Sequence, residues 1–321
     1  SGIFTSEEGI RIPDVASGQR KTKQVGPYSF STTGEYTARI TDHAVEHSVS
    51  TTPISTTVDD SVELPDGIEV TIADLSITNG YQYTYSPTLS TTDVTGILND
   101  PDAVYARVSV TIENNSDDVI LNEFPGLLDG TRVESLPESS ASLDSIGALD
   151  EAPFQGSVEV DTTASGSLLY KLPHEAARGE LEFTWGGGSE SPPTAVWTAS
   201  PQSGERRAVP EFEVSSVSSP ETAIAGEEIA IQAEVENVGE ATGTLHGRFE
   251  YKTADMSSFE PIEAVTVEIP PGESQTVEAT SWAAFELPIQ YRLYPYETTA
   301  KTTFELPSLE LGETYSTIKG H

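Results

Sequence analysis

Apolar and polar residues alternate over short stretches along most of this 321-residue chain. The stretches are rich in Val, Ile, Thr and Tyr and are punctuated by Gly, Pro, Asn and Asp, the pattern of half-buried strands. A first set runs Tyr36 to Ile40, Ile68 to Thr78, Tyr105 to Glu113, Gly156 to Val160, Ser167 to Leu172 and Leu181 to Trp185. A second runs Glu211 to Val217, Ile229 to Val238, Thr244 to Tyr251, Ala264 to Ile269, Thr276 to Thr280 and Ile289 to Tyr294. Helical periodicity is missing; the nearest candidate, Leu172 to Glu180, contains Pro173 and ends at Gly179. The pattern predicts an all-β protein of antiparallel sandwiches.

Length suggests two domains. Between the two strand sets, Gly186 to Pro193 and Pro201 to Pro210 have linker composition, with Val196 and Trp197 between them as a packed island. The predicted organisation is an N-terminal segment over 1–60 (extra strands or an arm), a sandwich over 61–186, a linker over 187–210 and a second sandwich over 211–321.

Charge changes the picture. Fifty-two acidic against 16 basic side chains leave a net −36, and lysine occurs only at Lys21, Lys23, Lys171, Lys252, Lys301 and Lys319. Nucleic-acid affinity rests on Lys and Arg displacing counterions, so nucleic acid is excluded as a partner. Docking on anionic lipid is disfavoured for the same reason. No run of ~18 apolar residues is present to span a bilayer. Any membrane link is expected only through a removed leader or a lipid anchor. Cysteine is absent, so there is no disulfide framework, zinc thiolate or thiol nucleophile. High Asp/Glu with depleted lysine resembles the proteins of haloarchaea, whose carboxylate surfaces stay hydrated in salt that screens charge within ~3 Å.

Two stretches resemble known modules. Val108-Ser109-Val110-Thr111-Ile112-Glu113-Asn114-Asn115-Ser116, then Leu128-Asp129-Gly130, Gly156 to Val160, Leu168 to Pro173 and Leu181-Glu182-Phe183, are similar to the telokin-like immunoglobulin-fold domain, over about 62–186. Ile224-Ala225-Gly226-Glu227, Ile231 to Gly239 and Ile269-Pro270-Pro271-Gly272-Glu273-Ser274 resemble the cell-adhesion-related (CARDB-like) domain, over about 210–306. The resemblances imply two immunoglobulin-like antiparallel β-sandwiches in tandem on an exported, often lipid-anchored chain. They carry no catalytic residues with them.

Candidate chemistry is sparse. His43-Ala44-Val45-Glu46-His47 spells the H-x-x-E-H zinc pattern. Its flanks are strand-like, however, and on a strand the rings of His43 and His47 would sit ~13 Å apart, too far for one ion. His174 and His246 read as surface or edge residues. The acidic pairs Asp59-Asp60, Asp100 with Asp102, and Asp117-Asp118 offer oxygens of the kind calcium takes, and are better read as solvated carboxylates. No cofactor is expected. Tyr81, Tyr83 and Tyr85 alternate, placing three rings on one strand face, either as an aromatic contact surface or as packing. Asn114-Asn115-Ser116 is a glycosylation sequon at Asn114.

The expectation is a non-enzymatic extracellular surface protein of a halophile, serving adhesion or interaction. Its partners would be other surface proteins or copies of itself. The alternatives are a filament or viral surface subunit assembled by strand addition from the N-terminal segment, and a secreted hydrolase or metal enzyme using His43 and His47.

Overall fold

The computed structural model describes residues 34–40, 45–87, 92–138, 140–149, 151–186, 193–201 and 205–308, the first two strands by their backbone. This described part is all-β with one five-residue helix. The first stretch contains β1 (Gly34–Ile40), β2 (Val45–Thr51), β3 (Ile54–Thr57), β4 (Ser61–Glu63), β5 (Ile68–Thr78), β6 (Gly80–Tyr85), β7 (Val94–Asn99) and β8 (Ala103–Asn114). Three two-residue strands follow: β9 (Ile120–Leu121), β10 (Gly126–Leu127) and β11 (Thr131–Arg132). Then come β12 (Ser157–Val158), β13 (Thr162–Pro173), α1 (His174–Arg178), β14 (Leu181–Trp185) and β15 (Ala195–Ala199). The second stretch contains β16 (Phe212–Ser218), β17 (Thr222–Ile224), β18 (Ile229–Asn237), β19 (Gly243–Thr253), β20 (Glu260–Ile269), β21 (Ser274–Ser281), β22 (Leu287–Tyr294) and β23 (Thr299–Glu305).

Two cores organise these strands. In the first unit a sheet ordered β11-β13-β8-β5-β4 and a sheet ordered β10-β14-β15-β3 contribute to one buried cluster. Val104, Ala106, Val108, Val110 and Ile112 recur at every second position of β8 and are fully buried with Phe183 and Trp197 of the other sheet. Burying a large apolar side chain contributes ~1.5–3 kcal/mol, which fixes the strand register by fixing its face. In the second unit the sheets β16-β18-β21 and β17-β23-β22-β19-β20 share a cluster that includes Ile231, Val235, Leu245, Phe249 and Phe304. Along β18 buried Ile229, Ile231, Ala233 and Val235 alternate with exposed Ala230, Gln232 and Glu234.

Two features differ from the sequence expectation. The ladders are not purely antiparallel: β3 runs parallel to β15, and β17 parallel to β23. In each unit an early strand thereby covers the edge of the last one, an edge that lysine would otherwise protect. The span read as linker contains β15, whose Trp197 is fully buried and donates its indole N–H to Asp60 O at 3.1 Å. Glycine- and proline-rich flanks had obscured that strand. The N-terminal segment supplies β3 to the first unit, while among the described residues β1 and β2 pair only with each other.

Both units also use one polar device. Asn114 ends β8 and Asn237 ends β18, and neither is exposed at all. Asn114 donates from Nδ2 to Asp118 O and Val158 O at 2.9 and 3.0 Å, while Oδ1 accepts from the Ser116 N–H at 3.0 Å. Asn237 donates to Ala241 O and Ile269 O, both at 2.8 Å, and accepts from the Gly239 N–H at 3.0 Å. In each case the amide satisfies the turn leaving the strand and a carbonyl from a distant element, with the same i+2 and i+4 offsets.

Candidate functional site

The chemistry-bearing residues gather where the two units meet. The β6–β7 hairpin is the centre of this joint, with Tyr83 opposite Gly96 in its ladder. The Tyr83 ring lies across Gly96 so closely that an added Cβ would fall 2.2 Å from a ring carbon, so only glycine fits. Tyr81 and Tyr83 are 7% and 2% exposed, and pack with Leu98, Tyr105, Leu136 and Leu169 in a third apolar cluster. Tyr81 meets Tyr105 edge-on with ring centroids 6.5 Å apart. Tyr85 is half-buried against the same cluster. The three rings therefore do not form an open contact surface: the hairpin covers the outer face of β8 and β13.

Polar contacts then lock hairpin and linker to the second unit. Asn99 donates to His246 O at 2.8 Å, and Asn79 to Pro210 O at 3.1 Å. Gln82 bonds Thr266, and Arg248 reaches Thr95 O at 3.4 Å. Arg178 of α1 donates to Glu211 at 2.8 Å and to Glu240 at 3.1 Å. Arg207, in the linker, gives its guanidinium to three carbonyls, Ala177 O, Gly179 O and Ala199 O, at 2.7–2.9 Å. Val209 is fully buried in the first core, and its carbonyl accepts from the Glu240 N–H of the second unit at 3.0 Å. A Cβ on Gly239 would meet Val209 O and Glu211 N at 2.5 Å, so this approach also requires glycine. The linker is clamped along its described length.

Beside the hairpin lies a cleft of about 510 Å³ lined by Leu98, Asn99, Asp100, Tyr105, Leu136 and Lys171 among others. Burial works against the Asp100 charge, but the Lys171 ammonium and the Asp102 N–H outweigh it and hold the carboxyl below its usual range. Burial, reinforced by the Asp100 charge, pushes the Tyr105 phenol well up. The cleft thus sets a carboxylate engaged by Lys171 beside a phenol that burial holds in its protonated form. Glu138, nearby, is pushed up by burial against the opposing charge of Arg248, and its Oε2 has no partner.

A second cleft, about 570 Å³, lies at the far end of the first unit, with Asp66, Asp117, Asp118 and Glu123 on its walls. Among the described residues no group of three or more His, Cys, Asp or Glu is placed to hold a metal ion. Asp60 accepts from the hydroxyls of Thr56 and Thr57, and Asp59 from the Asp74 N–H.

The remaining sequence candidates are dispersed. Glu46 and His47 sit at adjacent positions of β2, in register with Arg39 and Ala38 of β1. His43 lies outside the described residues. Asn114 is not a surface acceptor: its amide is spent inside the fold, which rules the sequon out in the folded protein. His174 is buried and His246 half-buried, with Nε2 and Nδ1 respectively lacking partners. Burial pushes His246 down to about 4. The joint residues Asn79, Asn99, Arg178 and Arg207 carried no sequence signal of their own; only the scarcity of cations hinted that each arginine has a task.

No family model and no curated protein matches the chain. Among the solved structures that match are several distant likenesses. A β-glucosidase from Erythrobacter marinus is 15% identical over 36% of this chain and 18% of its own, with a TM-score of 0.27. A β-glucosidase from Kluyveromyces marxianus is 9% identical over 73% and 50%, at 0.25. Red sea bream transglutaminase is 12% identical over 74% and 31%, at 0.23. The chain thus spans half or less of each of these proteins. No shared fold or activity follows from scores this low.

Proposed function

We propose that this chain is a non-enzymatic extracellular surface protein of a halophilic archaeon, built as two tandem immunoglobulin-like sandwiches that display contact surfaces. The observation that carries the reading is the clamped joint. Asn79 and Asn99 at the hairpin, Arg178 of α1, Arg207 and Val209 of the linker and Gly239 of the second unit hold the two units in one orientation. A rigid pair of β units suits projection from a surface better than closure around a substrate. The shared asparagine device, and the early strand laid parallel to the last one in each unit, support the tandem reading. The net charge of −36 supports a high-salt setting.

The test is protease release from intact source cells held in their growth salt, with the released peptides identified by mass spectrometry. Peptides of this chain should come from intact cells. Their appearance only after lysis refutes the surface location.

A further inference from the structure

We propose that the end of the second unit away from the joint is a docking site for a polypeptide segment in which apolar side chains are interleaved with lysine or arginine. The inference rests on the surface-protein reading, since a displayed patch must meet a partner, and names the chemistry of that partner.

The site is built from Trp282, Phe285 and Leu306, which are 60%, 74% and 61% exposed. Three chain segments bring them together. Leu287 faces Phe304 in the β22–β23 ladder, so continuing that register sets Phe285 against Leu306. The Ala225 N–H donates to Glu305 O at 2.8 Å and the Gly226 N–H to Ala283 O at 2.7 Å, which ties the end of β17 to both other segments. Ala225 and Ala283 are buried, so the large exposed side chains stand beside small buried ones. In the second unit Asn237 and Glu211 mark the joint, and the patch lies beyond the opposite end of β18, roughly 25–30 Å away at the rise of a strand.

Size argues for a segment rather than a folded face. Two aromatic rings and a leucine exposed to this degree present roughly 350–400 Å² of apolar surface. A contiguous patch of that size is often functional. It is about half of the ~800 Å² that each partner gives to a stable interface between folded proteins. A second copy of this chain could enlarge the contact only by pressing glutamates against glutamates.

Charge names the rest of the occupant. Exposed Glu227, Glu228, Glu286 and Glu305 surround the three apolar side chains. Ile229 faces Ser281, so the next step sets Glu228 beside Trp282, and the β22–β23 register sets Glu286 opposite Glu305. Like charges directly opposite one another on a sheet are destabilising until a cation meets them. No Lys or Arg occurs in 222–229, 279–287 or 302–308. The scarce cations of this unit are spent elsewhere: Arg248 and Arg292 both serve the buried Glu250, at 2.6 and 2.8 Å. An occupant must therefore bring apolar groups and positive charge together. Anionic lipid brings the wrong sign, whereas a segment with cations between apolar residues brings both. In molar salt, attraction beyond ~3 Å is screened, so only cations that touch the glutamates count, and the apolar contact persists.

The test is titration of the full chain in molar KCl with three short tryptophan-free peptides: leucine alternating with arginine, leucine alternating with glutamate, and serine alternating with arginine. Trp282 is the reporter, read by acrylamide quenching and emission wavelength, because Trp185 and Trp197 are 5% and 0% exposed. The leucine–arginine peptide should protect Trp282 saturably, and the other two should bind at least roughly tenfold more weakly. Phe285→Ser with Leu306→Ser should weaken the leucine–arginine peptide by roughly a hundredfold or more, since two apolar anchors are lost, and leave the melting temperature unchanged. Glu228→Gln with Glu286→Gln should weaken it several-fold and leave the leucine–glutamate peptide no weaker. Equal binding of the serine–arginine peptide, or unchanged binding to either double variant, reduces the effect to bulk charge and overturns the inference. So does a lack of saturable protection. A Trp282 already shielded from acrylamide in the free chain overturns it in favour of cover by the chain itself, or by a second copy where sedimentation shows mass rising with concentration. Protection by phosphatidylcholine vesicles overturns it in favour of a lipid surface. Protease release from intact cells is read independently, so failed peptide binding overturns the docking site and not the surface location.

Discussion

Replacing Asn237 with alanine should destabilise the second unit by about 3 kcal/mol. The side chain is fully buried and makes four bonds to backbone: to Ala241 O and Ile269 O at 2.8 Å, from the Gly239 N–H at 3.0 Å and from the Glu211 N–H at 3.3 Å. Each contributes ~1 kcal/mol net, and a buried backbone group left unpaired costs ~1–3 kcal/mol. Gly239 retains a second acceptor, Glu211 O at 3.3 Å, which lowers the sum to roughly 2–4 kcal/mol. In a unit of about 100 residues that is a fall in melting temperature of ~10–20 °C. Asn237→Asp should be worse, because two carbonyls would then face a carboxylate. Urea denaturation at fixed salt is the appropriate assay, since guanidinium chloride would also screen the acidic surface. Val238→Ala, in the same turn but 40% exposed, is the control and should stay within ~0.5 kcal/mol. A loss under 1 kcal/mol for Asn237→Ala, or one matching the control, refutes the reasoning.

Arg178→Ala should cost ~1–3 kcal/mol, discounted because Glu211, Glu240 and Glu175 are partly solvated, and should split one calorimetric transition into two as the units uncouple. A single unshifted transition counts against the clamp. His246 is depressed to about 4 in the folded chain against an ordinary 6.5, so the unfolded chain binds more protons between these values. Its contribution is complete above pH 6.5 and falls by up to roughly 3 kcal/mol as the pH drops to 4. Raised Glu138 has the opposite sign, so the difference between wild type and His246→Gln isolates the histidine; parallel pH profiles of the two would refute the assignment. With a net −36, melting temperature should rise from dilute to molar KCl, and a flat profile would remove the self-repulsion argument.

Alternation alone determined the all-β class, because burial on one sheet face imposes a period of two wherever a strand covers a core. It marked β5, β8, β13, β14, β18 and β19 from their residues, and the two asparagines could be read as turn formers. It left β7 and several shorter strands unmarked, and it missed β15 and β23. The first sits between Gly- and Pro-rich flanks, and the second hides Thr302 and Phe304 among threonines whose burial only partner strands create. Charge likewise set the expectation against nucleic acid, since Lys and Arg are what neutralise phosphate. Tertiary structure alone decided what single residues do. The tyrosines of β6 became a joint because β8 and β13 offered an uncovered outer face. Asn114 turned from a surface sequon into an interior strut because Asp118 and Val158 present carbonyls to it, and Trp282 with Phe285 became a surface because their turn lies at the pole away from the joint. Alternation records which side of a strand is buried; which element buries it depends on residues a hundred positions away, and no local pattern carries that.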